Sequence, residues 1–215
     1  MNETTELPLF LLNAVLYPGG RLPLRVFETR YMDMVKACLR RNVPFGVCLL
    51  ARGDEVLAPG GEAARPKDCG TLATIVNWDM PQLGILNIIA EGGQRFRVLE
   101  HRAESSGLVT ARVEILPDPV VTPIPGDYAR LVPMLRGLIE AMEEDSPPKP
   151  HRFYDSAWVA YRWAELLPLP GPLRQHLLEL EDGADKLDTI YRFLEEEMET
   201  SEDAEDSENP DDPDA

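Results

Sequence analysis

Between Val109 and Ile115 every second residue is apolar. Val109, Ala111, Val113 and Ile115 alternate with Thr110, Arg112 and Glu114. That period of two predicts a strand with one wet face, because successive side chains leave a pleated backbone on opposite sides. The same rhythm in Arg95–Phe96–Arg97–Val98–Leu99 points Phe96 and Val98 inward and both arginines outward. Thr71 to Trp78 and Gly84 to Ala90 read as two more strands. Asp79–Met80–Pro81–Gln82 forms the turn between them, and Gly92–Gly93 forms a second tight turn.

Earlier in the chain, Leu7 to Leu12 reads as a strand, with Pro8 placing it at an edge or near its start. Leu22 and Leu24 flank Pro23 in an extended stretch. A helix follows Phe27–Glu28, with Tyr31, Met32, Val35, Cys38 and Leu39 spaced three and four apart. Val43 precedes Pro44, which disfavours helical geometry and stops that helix. Phe45 to Leu50 is a continuous apolar run that fits a strand buried on both faces. Gly53 to Lys67 is a long loop rich in glycine and proline.

The period changes after the proline-rich stretch Pro117–Pro125. Helices are predicted over about 128–144 and 155–166, then around Leu173, Leu177 and Leu180. A last helix starts at Asp185, which serves as its cap, and buries Leu187, Ile190, Leu194 and Met198. The pattern divides the chain into a β-rich part (1–118), a helical part (119–198) and an acidic tail (199–215). The fold class is α+β: short strands in a sheet that curls into a pseudo-barrel, followed by a C-terminal helical bundle.

Charge refines this picture. The net charge of the 215 residues is −17, but twelve of the 38 acidic residues lie from Glu195 onward, where there is no Lys or Arg. The tail is too polar to repay the entropy of ordering, and disorder is expected from Glu199. The rest is mildly acidic, which disfavours nucleic-acid phosphates and anionic membrane surfaces as partners. The sequence contains no run of 18 apolar residues and no basic leader before an apolar segment, so a cytoplasmic protein is expected.

Candidate chemistry is sparse. Cys38, Cys48 and Cys69 are odd in number and lack zinc-ligand spacing. Cys69, near a glycine and a loop, is the one thiol to test for reactivity. His101, His151 and His176 fall in no metal-binding pattern, and no Gly-x-Ser-x-Gly elbow or phosphate loop is present. No catalytic residue, metal or cofactor is expected. Binding is better supported. Tyr17, Phe27 and Tyr31 flank turn and helix-entry positions, while Trp78, Met80 and Pro81 occupy the expected hairpin tip. Aromatic rings and a methionine exposed there would hold an extended chain in a cleft between sheet and bundle. The simpler reading has these side chains sealing the barrel rim.

The order of certain residues resembles the N-terminal substrate-binding domain of the ATP-dependent Lon protease, in a stand-alone bacterial form. The residues that carry it include Leu7–Pro8–Leu9–Phe10, Val15–Leu16–Tyr17–Pro18–Gly19, Val26–Phe27–Glu28, Arg30–Tyr31 and Phe45–Gly46–Val47. Arg95–Phe96–Arg97–Val98, Ala164–Glu165–Leu166–Leu167–Pro168 and Leu177–Leu178–Glu179 follow in the expected order. The resemblance implies a PUA-like β domain before a helical bundle, recognition of unfolded or tagged polypeptides, and no catalytic residues. No Walker A loop or serine–lysine dyad is present to carry ATP use or cutting. The leading expectation is a non-catalytic protein-binding module, an adaptor or regulator in protein quality control. A nucleic-acid reader using Arg95, Arg97, Arg102 and Arg112 ranks second. A small hydrolase with a site assembled from distant residues ranks third.

Overall fold

The computed structural model describes residues 3–53, 64–143 and 146–207. The expected loop over 53–67 lies largely outside the described residues. Among the described residues there are six strands: β1 (Thr4–Leu12), β2 (Arg21–Val26), β3 (Phe45–Arg52), β4 (Arg65–Gln82), β5 (Ile85–Ala103) and β6 (Val109–Ile115). Five helices accompany them: α1 (Thr29–Arg41), α2 (Leu131–Ala141), α3 (Ser156–Leu166), α4 (Gly171–Glu179) and α5 (Gly183–Ser207). The fold is α+β.

The strands form one mixed sheet in the order β2-β5-β4-β3-β1-β6, and β5 also pairs with β6. That pairing closes five strands into a ring, leaving β2 outside it. Closure removes the unpaired backbone edges that an open sheet would expose. β1 runs parallel to β3 from Leu9 to Leu12 and antiparallel to β6 from Thr4 to Leu9. Pro8 lies where only β6 pairs with β1, so its missing N–H leaves no ladder bond unmade.

Each face of the ring buries its own cluster. Leu7, Leu9, Leu11, Phe96, Val109, Ala111 and Val113 fill one side. The opposite face of β1, with Phe10 and Leu12, packs on Tyr31, Met32 and Val35 of α1. A third cluster surrounds α3, whose residues from Ser156 to Ala164 are all buried, and takes in Tyr17 and Cys69 from the β part. The Asp155 side chain caps that helix by accepting from the Ala157 N–H at 3.1 Å.

Several elements depart from the sequence reading. β4 runs through Asp79–Gln82, and the turn falls at Leu83–Gly84, where Gly84 has φ +87°. Gly92–Gly93 makes no turn, because β5 passes straight through it. Glycine is needed there for a different reason: a Cβ on Gly92 would lie 2.2 Å from the Tyr17 carbonyl oxygen. Gly19 donates to the Gly92 carbonyl at 2.7 Å, and Gly92 donates to Gly20 at 2.9 Å, so the β1–β2 turn lies directly on β5. Helix α5 starts earlier than expected, with Asp182 rather than Asp185 accepting from the Ala184 N–H at 2.6 Å. It also runs on to Ser207, past the expected start of disorder. Extending an existing helix gains one backbone bond per residue without a new nucleus. Met198 stays exposed on it.

Candidate functional site

β4 and β5 are longer than the ring requires. β3 pairs with β4 only as far as Ala73, and β6 pairs with β5 only from Phe96 onward. The hairpin between these points overhangs the ring. β2 lies along one side of it, from Arg21 opposite Glu91 to Val26 opposite Leu86. Beyond Ala73 the other side of β4 has no strand partner among the described residues.

A register shift between Ile75 and Asn77 decides which side chains the overhang presents. Ile75 stands opposite Ala90, on the core-facing side. Without the shift Asn77 and Asp79 would continue that face. With it, Trp78 stands opposite Ile88, and Leu24 stands opposite Ile88 from the other side. Leu24, Ile88 and Trp78 therefore form one cross-strand apolar row. Ile88 is buried, whereas Trp78 is 55% exposed at the end of the row.

Phe27, just past β2, is 57% exposed and Met80 44%. Phe27 lines a cavity of about 170 Å³ with Phe10, Leu12 and Tyr31. Trp78 lines another of about 310 Å³ with Asn77 and Ile89. Pro23, Leu24 and Arg25 border both cavities, so Phe27 and Trp78 flank β2. Val76 and Leu83 are also exposed on this hairpin, Leu83 almost completely. Both escaped the sequence reading. Leu83 was discoverable from Gly84, whose freedom at positive φ marks the true turn.

Tyr17 and Tyr31 do not belong to this exposed set. Tyr17 is 1% exposed; its ring stacks on Tyr161 with centroids 5.1 Å apart. Its hydroxyl donates to the Arg174 carbonyl at 2.9 Å, and burial pushes its pKa well above the usual tyrosine range. It is a wedge between sheet and bundle. Tyr31 stacks on Phe10 at 3.9 Å inside the α1 core and forms only the inner wall of the Phe27 cavity. Both side chains are buried. The cleft between sheet and bundle also differs from expectation. A cavity of about 470 Å³ lies there, lined by Pro18, Gly19, Trp158 and Tyr161, and none of the five candidate residues borders it.

The arginine stripe does not form. Arg95 points inward and is buried; its Nη1 donates to the Leu178 and Leu180 carbonyls at 2.8 and 2.9 Å. Those carbonyls end α4, where a cation satisfies groups that lack helical partners. Arg97, Arg102 and Arg112 are each paired, with Glu114 at 3.0 Å, Glu6 at 2.8 Å and Glu100 at 3.0 Å. Pairing cancels the positive field that phosphate binding needs.

Cys69 is buried, and burial pushes its thiol up to about 11, against reactivity. Burial likewise raises Cys38 and Cys48. His101 and His176 are exposed on separate elements, and His151 packs against Phe153 and Trp158. Among the described residues no three His, Cys, Asp or Glu side chains are grouped to hold a metal.

Residues 6–196 match the model of the ATP-dependent protease La (LON) substrate-binding domain. The chain belongs to this family. A Lon protease of Paraburkholderia phytofirmans is 30% identical over an alignment of 200 positions that covers 85% of this chain and 23% of that protein. Protein cereblon of Gallus gallus is 34% identical over 110 residues, half of this chain and 23% of that one. The chain thus spans under a quarter of these relatives. Among solved structures, a Lon N-terminal domain protein from Xanthomonas campestris superposes with a TM-score of 0.70 at 32% identity. The match covers 87% of this chain and 98% of that one. The N-terminal domain of a Mycobacterium avium complex Lon protease shares the fold at a TM-score of 0.55 and 15% identity. A Lon substrate-binding domain is a recognition module, and the match accounts for residues 6–196 of this chain. No described helix is long and apolar enough to cross a membrane.

Proposed function

We propose that this Lon substrate-binding domain recognises extended or unfolded polypeptide segments on the overhanging hairpin, without chemistry of its own. The observation that carries the reading is the apolar row ending at Trp78, exposed beside a β4 edge that has no strand partner among the described residues. An extended chain offers both things such a surface lacks: backbone donors and acceptors for the edge, and side chains for the cavities beside Phe27 and Trp78. Met80 adds an adaptable thioether that suits varied sequences. A folded protein has its own backbone groups already paired, so the surface discriminates in favour of unfolded chains. On this reading the protein is an adaptor or regulator in cytoplasmic protein quality control.

A reduced, carboxymethylated protein is a suitable probe because it cannot refold. Its affinity for the wild type should fall about tenfold or more in Trp78→Ser combined with Phe27→Ser, a loss on the scale of central interface aromatics. Both positions are over half exposed, so the double variant should keep the wild-type melting temperature. Undiminished binding by a folded double variant would remove the hairpin from the interface.

A further inference from the structure

A cavity of about 890 Å³ lies beside α1, away from the cavities at Phe27 and Trp78. α1 buries Tyr31, Met32, Met34, Val35 and Cys38 in the core cluster that also holds Leu86 and Ile88 of the hairpin. The cavity side is Arg30, Asp33, Met34, Ala37, Cys38 and Arg41. Met34 and Cys38 thus belong to both, and the open flank of α1 at the groove is Asp33, Ala37 and Arg41.

The floor of this groove is apolar, made by Leu7, Pro8, Met34, Cys38 and Leu108, with Val43 exposed at its lip. Its rim is acidic. Glu3, Glu6, Asp33 and Glu104 border it, against Arg30 and Arg41. Arg30 is already neutralised: it pairs with Glu28 at 3.1 Å, and its Nη1 donates to the Gly107 carbonyl at 2.9 Å. Glu6 pairs with Arg102, and Glu104 acts on the same guanidinium, so two carboxylates share one cation. Glu3 and Asp33 make no ion pair among the described residues. The carboxylates outweigh the remaining charge of Arg41. Carboxylates around a low-dielectric wall focus a negative potential into a cleft.

We propose that this groove is a second polypeptide-binding site, which takes a segment carrying a bulky apolar side chain next to lysine or arginine. The apolar side chain lies on Leu108 and Val43, above the buried Met34 and Cys38. The neighbouring cation is held by Asp33 and Glu104 at the rim. Acidic segments are repelled by the same carboxylates, so charge selects among apolar segments that the hairpin would accept alike. The site stands independently of the hairpin reading, because it shares no residue with the cavities beside Phe27 and Trp78.

The test uses the full chain and three fluorescein-labelled decapeptides: alternating Phe-Lys, alternating Phe-Glu and alternating Ser-Lys. Fluorescence anisotropy at low salt should show the Phe-Lys peptide binding at least about tenfold tighter than either of the others. Asp33→Lys with Glu104→Lys, two exposed positions, should weaken it about fivefold, as expected for two exposed ion pairs. Ala37→Trp should block it by filling the groove, and the preference for Phe-Lys over Phe-Glu should persist in Trp78→Ser, whatever both peptides lose at the hairpin. Equal affinity for the Phe-Glu peptide overturns the proposal. So does a loss on Trp78→Ser with none on charge reversal, which would move this binding to the hairpin. Phenethylamine binding as tightly as the peptide would make the occupant a small amphiphilic cation instead. A sedimenting dimer that the Phe-Lys peptide dissociates would put a second copy there. Either of these results ends the polypeptide assignment.

Discussion

Arg162 of α3 reaches the β1–β2 turn and donates from Nη1 to the Gly19 carbonyl at 2.6 Å. Its Nη2 meets the Pro18 carbonyl at 3.2 Å and the Glu165 carboxylate at 2.7 Å. Arg162 is 1% exposed, so this guanidinium depends on those three acceptors rather than on water. Glu165 anchors it, and Glu165 is itself disturbed: partial burial, opposed by Arg162, raises its carboxyl to about 7.

The direction of that shift fixes a pH dependence. A carboxyl whose folded value lies above its unfolded one favours the folded state most when protonated. Its contribution is fully present below about pH 4.5 and is lost as pH rises through about 7. The wild type should therefore lose stability relative to Glu165→Gln between pH 5 and 8. Urea midpoints of the two proteins across that range measure the difference. Parallel curves would show that Glu165 titrates normally.

Lys186 presents the opposite sign. It is fully buried, and burial, followed by the nearby Arg95, lowers it to about 8. A base depressed in the folded state carries a penalty below about pH 8, which lifts as pH rises toward 10.5. Its Nζ donates to the Leu180 carbonyl, but Arg95 donates to the same oxygen. Lys186→Met thus leaves no acceptor stranded, and it should stabilise the protein at pH 7 by about 1–3 kcal/mol. Chemical denaturation at pH 7 and pH 10 should show the gain shrinking at the higher pH.

Two glycines separate close approach from backbone freedom. Gly92→Ala drives a methyl into the Tyr17 backbone carbonyl and should cost about 3 kcal/mol or more. Gly84→Ala meets no atom within 4 Å and suffers only its φ of +87°, a cost of about 1 kcal/mol. Calorimetry of the two variants should rank them in that order.

Tyr17→Phe keeps the stack on Tyr161 and loses the hydrogen bond to the Arg174 carbonyl. It should cost about 1 kcal/mol of stability. Polypeptide affinity should be unchanged, since Tyr17 is a wedge and not a contact. Denaturation and probe binding on the same preparation separate the two effects.

The elements whose apolar period stands alone were legible in the sequence. β6 matches its alternating stretch residue for residue, and the α1 stripe packs where its spacing placed it. What the sequence concealed was set by contacts distant in the chain. Arg95 looks like an outward strand residue, yet the carbonyl end of α4, more than 80 residues away, draws it inside. Gly92–Gly93 looks like a turn because the Tyr17 carbonyl that excludes a side chain there is invisible to local pattern. Trp78 was found as exposed for the wrong local reason: it sits on a strand, turned by a register shift that periodicity does not announce. The acidic groove went unseen because its rim comes from α1, β1 and the β5–β6 connection, none of them notable alone.

The interlock at Arg95, Gln175 and Arg162 bears on how the molecule comes apart. Gln175 donates to the Cys69 carbonyl at 3.0 Å, so three long side chains cross from one half to the other. Cutting the chain in the proline-rich connector would strand a guanidinium in one fragment and bare helix-end carbonyls in the other. The connector is therefore a strap over a shared interior rather than a tether between autonomous beads, and the whole should melt as one cooperative unit.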